Sequence, residues 1–153
     1  MAIRVGTQEN LEHLVALFKQ FFPVHNQFQQ PDRDIVDYLH EQLQDNELLV
    51  SETKGIYDGA LFLVKIGESS DSTHKIRKFR HFAFTTESIG KELLQEAEKS
   101  VQAQSPTSKI ELTIAETEPG KDFYLKHGYQ QEATLPHHYR WGETCFILGK
   151  SFS

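Results

Sequence analysis

The segment Phe123–Tyr129, FYLKHGY, sets a phenol beside Phe123 and ahead of a Lys-His-Gly run. Glycine tolerates the left-handed conformation that closes helices, so the spacing predicts a short helix around Lys121–His127 that ends at Gly128. Tyr124 then brings a weak acid to that helix, and a phenol stays mostly protonated at neutral pH. Cys145 offers a thiol, but its setting in TCFILG suits a buried strand residue better than a nucleophile. No Ser lies in a nucleophile motif either. His74, His81, His137 and His138 raise the question of a metal. No Cys or carboxylate accompanies them at ligand spacing, and adjacent His side chains rarely share one ion, so none is expected.

These groups must be positioned by a chain of 153 residues, a length that suits one domain with a single sizeable core. The sequence is 38% hydrophobic and 25% charged, as in ordinary globular proteins, and its 11 Phe and 5 Tyr supply large units to bury. A net charge of −6 argues against nucleic acid as partner, since that binding needs clustered Lys and Arg. Acidity leans towards a cationic small molecule, although it also simply aids solubility. One cysteine excludes an internal disulfide. The start MAIRVGTQEN has no signal-peptide core, and no segment approaches the apolar length of a membrane span, so a cytoplasmic protein without a membrane partner is expected.

AIRVG reads as a first strand. Thr7 or Asn10 can cap a helix carrying Leu11, Leu14, Val15, Phe18, Phe21 and Phe22 at helical spacing, stopped by Pro23. HNQFQQ reads as a loop, and Pro31 with Asp32 and Asp34 opens a second helix with Ile35, Val36, Leu39 and Leu43 inside. ELLVSET and IYDGALFLVKI form a hairpin about Lys54–Gly55. GESSDSTH is a polar loop before the strand KIRKFRHFAF. Ile89, Leu93, Leu94, Ala97 and Val101 mark a helix from Glu87. KIELTIA alternates Ile110, Leu112 and Ile114 with Glu111, Thr113 and Ala115, as a strand with two unlike faces does. After the short helix come strands near YQQEAT and TCFILGKSF, joined by LPHHYRWGE. The order β-α-α-β-β-β-α-β-α-β-β describes an α/β fold with a mixed sheet.

That order, with FYLKHGY after the fifth strand, resembles the GNAT acyl-CoA N-acyltransferases. The likeness runs over almost the whole chain, through the ELLVSET–IYDGALFLV hairpin, SIGKELLQEAEK, FYLKHGY and HHYRWGETCFILGKSF. It implies a mostly antiparallel sheet with helices on both faces and a central parallel pair, the fourth and fifth strands, that splays apart. It implies acetyl-CoA as acyl donor, with the pantetheine arm beside Phe82, Ala83 and Phe84. The pyrophosphate would lie over Thr85, Thr86, Ser88, Ile89, Gly90 and Lys91, where N–H groups at a helix start attract anions. The family's turn reads Arg or Gln, two residues, Gly, one residue, then Gly or Ala. Here it is TTESIG, which keeps Gly90, is shorter, and adds the anion Glu87. Thr117 stands where many members carry an Asn that bonds the cofactor.

By the same resemblance Tyr124 protonates the departing thiolate of CoA. Because an amine is protonated in water, a base is also needed. Glu116, at the end of the fifth strand, and Glu111 and His81, within strands, are candidates, as is a water relay. The loop with Tyr139 and Trp141 is either a wall of the acceptor pocket or ordinary packing. The expected activity is acetyl transfer to a primary amine of a small molecule or peptide, by direct attack and without metal. The altered turn keeps a second reading open, a GNAT-fold protein that binds a ligand or partner without catalysis. The acceptor is not specified by the sequence, and the oligomeric state, a homodimer included, is left open.

Overall fold

The computed structural model describes residues 2–23 and 26–153. In chain order the elements are β1 (Ala2–Val5), α1 (Leu11–Phe21), α2 (Asp32–Asp45), β2 (Glu47–Thr53), β3 (Ile56–Glu68) and β4 (His74–Phe84). There follow α3 (Glu87–Gln102), β5 (Thr107–Ala115), α4 (Lys121–Lys126), β6 (Gln130–Leu135) and β7 (Cys145–Phe152). The strands form one seven-stranded sheet in the order β1-β2-β3-β4-β5-β7-β6. The pair β4 and β5 is parallel, registered from His74 on Thr107 to Lys78 on Glu111. The β1–β2, β2–β3, β5–β7 and β6–β7 pairs are antiparallel. This is the mixed sheet expected from the sequence.

The β2–β3 hairpin turns on Lys54 and Gly55, with φ of 51° and 81°. Two central residues at positive φ match the right-handed twist of the flanking strands. Several boundaries differ from the sequence reading: β4 takes in His74 from the expected loop and β5 begins at Thr107, two residues before KIELTIA. β3 continues through Gly67 and Glu68, which the polar composition had assigned to the loop. Asn26–Gln29 is a 3-10 turn rather than plain loop, because Phe28 at its centre is fully buried; His25 of that stretch lies outside the described residues.

The chain divides into two compact units. One runs to Lys65 and takes in Phe79–Ser100. Its core gathers Leu11, Leu14 and Phe18 of α1, Ile35 and Leu39 of α2, and Leu48, Val50, Ala60 and Phe62 of the hairpin. Phe18 and Phe28 stack with centroids 5.1 Å apart, and each such side chain contributes about 2–3 kcal/mol on burial.

The second unit holds Ile66–Lys78 and Val101–Ser153. Its centre is β5 against β7, from Ser108 on Phe152 to Ala115 on Cys145. The alternation read in KIELTIA is realised, with Ile110, Leu112 and Ile114 buried and Glu111 and Thr113 half-buried. On the other face Lys109 bridges Glu132 at 2.6 Å and approaches Glu111 at 3.9 Å. Gly149 makes room for this, since a β-carbon there would meet the Glu132 carboxylate.

Candidate active site

In the first unit, β4 delivers Phe82 and Ala83 to the interior and leaves Phe84 half-buried. Thr85 N–H then donates to the Asp58 carbonyl at 2.9 Å, which fixes the turn against β3. Thr86 caps α3: its hydroxyl accepts from Ile89 N–H at 3.3 Å, and its carbonyl accepts from Gly90 N–H at 3.0 Å. Of the donors that the sequence offers to a pyrophosphate, Ile89 and Gly90 therefore already have partners within the chain. Helical geometry leaves the earlier N–H groups, at Glu87 and Ser88, to face outward at the helix start. Thr85, Thr86 and Ser88 are exposed there, with Lys91 one turn on. Gly90 is retained for packing: a β-carbon on it would sit 2.9 Å from the Phe84 ring.

His81 also belongs to this unit and is held unlike any neighbour on β4. Its φ is 53°, a left-handed conformation that costs of order 1–3 kcal/mol when the residue is not glycine. The Tyr38 hydroxyl and His81 Nε2 are 2.6 Å apart. Phe28, Tyr38 and Phe22 surround the imidazole at centroid distances of 5.0, 5.5 and 6.1 Å, mostly edge-on. Burial pushes the Tyr38 phenol above its ordinary value, so it stays protonated. His81 is thus a half-buried, hydrogen-bonded residue in an aromatic enclosure.

In the second unit, Tyr124 lies on α4, 8% exposed. The helix begins at Gly120, φ 124°, and closes at Gly128, φ 93°. Tyr129 N–H donates to the Tyr124 carbonyl at 3.0 Å and Gly128 N–H to the Leu125 carbonyl at 3.2 Å, the paired bonds that end a helix on a left-handed glycine. The expected helix is therefore present, one residue shorter. Phe123 and Tyr129 flank the phenol edge-on at 5.3 and 5.8 Å. Burial, and secondarily the Glu118 charge, push the Tyr124 hydroxyl far above its ordinary range.

The two candidate glutamates have different surroundings. Glu111 lies mid-strand and shares Lys109 with Glu132. Glu116 is exposed beyond the end of β5, and its Oε1 accepts from Thr144 N–H at 3.1 Å while its own N–H donates to the Thr144 carbonyl at 2.8 Å. Thr117 donates its hydroxyl to Glu143 Oε2 at 2.7 Å. Cys145 is fully buried, and its surroundings push the thiol up, away from nucleophilic thiolate. His137 stacks on Trp141 at 3.9 Å, and Trp141 is 88% exposed, so it is not core packing. Among the described residues no three His, Cys, Asp or Glu side chains are grouped to hold a metal ion, and no helix is long and apolar enough to cross a membrane.

Glu118 and Glu143 were not singled out in the sequence. Glu118 turns back to accept from Ala115 N–H at 3.2 Å, and burial raises its carboxyl, as does the Glu143 charge nearby. The one sequence signal was three acidic residues, Glu116, Glu118 and Glu143, each within three residues of a strand end.

The sequence matches no family model and no curated protein. Among solved structures it aligns with an aminoglycoside 6'-N-acetyltransferase complexed with coenzyme A, at 14% identity and TM-score 0.79 over 99% of this chain and 97% of that one. It aligns equally fully with a Brucella melitensis ribosomal-protein-alanine N-acetyltransferase, at 16% identity and TM-score 0.72 over 99% and 100%. A third neighbour is a Desulfovibrio desulfuricans protein assigned to the GNAT family, at 17% identity and TM-score 0.72 over 97% of each chain. The chain has the GNAT fold. Within that fold the helix after the fifth strand carries Tyr124, and TTESIG spans the two residues before α3 and the first four residues of that helix.

Proposed function

We propose that residues 1–153 act as one cytoplasmic N-acetyltransferase domain, moving an acetyl group from acetyl-CoA to a primary amine of a small molecule or peptide. The observation that carries this reading is Tyr124: a buried phenol, anchored through its own carbonyl at a helix end and kept protonated by its surroundings. The full-length likeness to acetyltransferases, one of them complexed with coenzyme A, supports it.

The start of α3 is a partial fit for the pyrophosphate of acetyl-CoA. A sixteen-residue helix presents its positive end there, with Lys91 in the next turn. Against this stand Glu87 in the first turn and the Phe84 ring in the space that a bare Gly90 would offer. Weak binding is the consequence. When bound, acetyl-CoA supplies an activated thioester. Tyr124 donates its hydrogen towards sulfur as the C–S bond breaks, and a strongly raised phenol does so as a hydrogen-bond donor that is never lost to ionisation. Glu116, exposed beyond β5, takes the proton the amine must lose, directly or through water. Glu111 is the lesser candidate because it lies mid-strand and shares Lys109 with Glu132. With Cys145 buried and its thiol neutral, the amine attacks the thioester directly.

The crowded turn favours one second reading, a GNAT-fold protein that binds a ligand or partner without acyl transfer. Calorimetry with millimolar acetyl-CoA, followed by a thiol-release assay over a panel of amines, separates the two. Binding with Kd of tens to hundreds of micromolar, on the order of −5 to −6 kcal/mol, and amine-dependent thiol release are expected. Absence of heat and of thermal stabilisation would leave only the binding protein.

A further inference from the structure

The turn from His137 to Gly142 in the β6–β7 loop is closed by an imidazole nitrogen. Gly142 N–H donates to His137 Nδ1 at 2.8 Å. A ring nitrogen that accepts a hydrogen bond carries no proton, so the closed turn selects the neutral tautomer with its hydrogen on Nε2. The same ring lies flat on the Trp141 indole, with centroids 3.9 Å and planes 10° apart. The backbone at this point opposes what the side chain holds. His137 has φ 53°, a left-handed conformation that strains a residue with a β-carbon, whereas Gly142, φ 86°, adopts it freely. The bond to Nδ1 therefore shuts a turn that otherwise relaxes by opening.

Other titratable groups of this region are engaged elsewhere. Arg140 Nη2 lies 3.4 Å from Glu143, and His138 rests against Tyr139 with centroids 4.7 Å apart. Glu116 and Glu118 accept from the N–H groups of Thr144 and Ala115. Among the described residues none of these charges bonds to the His137 ring, which is exposed to water and protons. Its state therefore acts on Gly142 and Trp141, and the two respond differently. An indole face tolerates a cation. A protonated Nδ1 instead points a hydrogen at the Gly142 N–H, and the bond turns into a repulsion.

We propose that His137 is a pH-sensitive clasp on the β6–β7 loop: its neutral ring holds residues 137–142 shut, and its protonation releases Gly142 and lets the His137 backbone leave the left-handed region. Histidine changes charge between about pH 8 and pH 5, so the clasp is complete above that window and lost as pH falls through it. The segment it governs presents Tyr139, Arg140 and Trp141, all three exposed. The surface that acid rearranges is thus aromatic and cationic. The clasp stands on the loop's own geometry and does not depend on the acyltransferase reading.

A nitrogen-edited NMR titration of the full chain from about pH 8 to about pH 5 reads the bond itself. The Gly142 amide proton should move upfield as its acceptor is lost, along one curve shared with the His137 ring nitrogens. The amides of Thr113 and Ile147, paired in the β5–β7 ladder, should stay fixed and report an intact sheet. His137→Asn sets a side-chain oxygen in the place of Nδ1 and tolerates the left-handed region, so its Gly142 amide should stay bonded at every pH. His138→Gln should leave the wild-type curve unchanged. The proposal is overturned by a Gly142 amide that does not titrate in the wild-type chain, or that titrates together with the ladder amides. Titration that survives in His137→Asn, or that disappears in His138→Gln, overturns it equally.

Discussion

Gly90 and the Phe84 ring occupy complementary space: a single β-carbon added to the glycine would lie 2.9 Å from three ring carbons. Alanine normally outperforms glycine within a helix by about 1 kcal/mol. Overpacking at a fixed ring costs about 1–3 kcal/mol and should win here. Gly90→Ala is therefore expected to lower Tm by a few degrees. Adding Phe84→Ala should make the pair less than additive, since the clash is shared. A rise in Tm for the single variant would show that the ring moves aside freely.

Tyr124→Phe should lower kcat by roughly 100-fold while leaving the affinity for acetyl-CoA almost unchanged, the pattern of a donor used in the transition state. The raised phenol also has a thermodynamic sign. Its stabilising protonation is complete below the ordinary tyrosine range near pH 10, and stability falls as pH rises beyond that towards the folded value. Tyrosinate absorbance should show the difference: of five tyrosines, the one lost in Tyr124→Phe ionises only on alkaline unfolding. Normal ionisation of that residue would contradict its burial.

For the base, the rate should climb with pH along a limb that Glu116→Gln abolishes and Glu111→Gln retains. The asymmetry follows from Lys109, which keeps Glu111 paired, and from the open position of Glu116. Loss of the limb in Glu111→Gln alone would reverse the assignment, and its survival in both variants would hand the task to solvent.

Glu87→Gln should tighten acetyl-CoA binding a few-fold by removing a like charge from the first turn of α3. The gain should shrink with added salt, as screening requires. Calorimetry at two ionic strengths reads both effects, and a salt-independent change would point to side-chain packing instead.

Local patterns proved sufficient for most elements. The alternation in KIELTIA, the Lys54–Gly55 turn and the Gly128 helix end are each written within a few residues, and each is present. What escaped the sequence depends on distant partners. His81 adopts φ 53° in the middle of a strand because Tyr38, 43 residues away, and an enclosure of phenylalanines hold it there. Likewise nothing beside Glu143 says that Thr117, 26 positions earlier, will draw it inside. In the α3 turn the sequence offered six residues to the pyrophosphate, and Thr86 engages the N–H groups of two of them, Ile89 and Gly90; a cap hydroxyl competes for the same N–H groups a phosphate would use.

Trp141 is the chain's one tryptophan, and its indole is already in water, stacked on His137. Its fluorescence will accordingly be a poor gauge of denaturation, because melting the core hardly changes what the indole sees. The same exposure makes it a selective optical reporter. It follows Arg140 directly and precedes Glu143 by two residues, so a shift in its emission, with ellipticity constant, registers movement of this one loop. The protein thus carries a native, label-free probe at the rim of its acidic cluster.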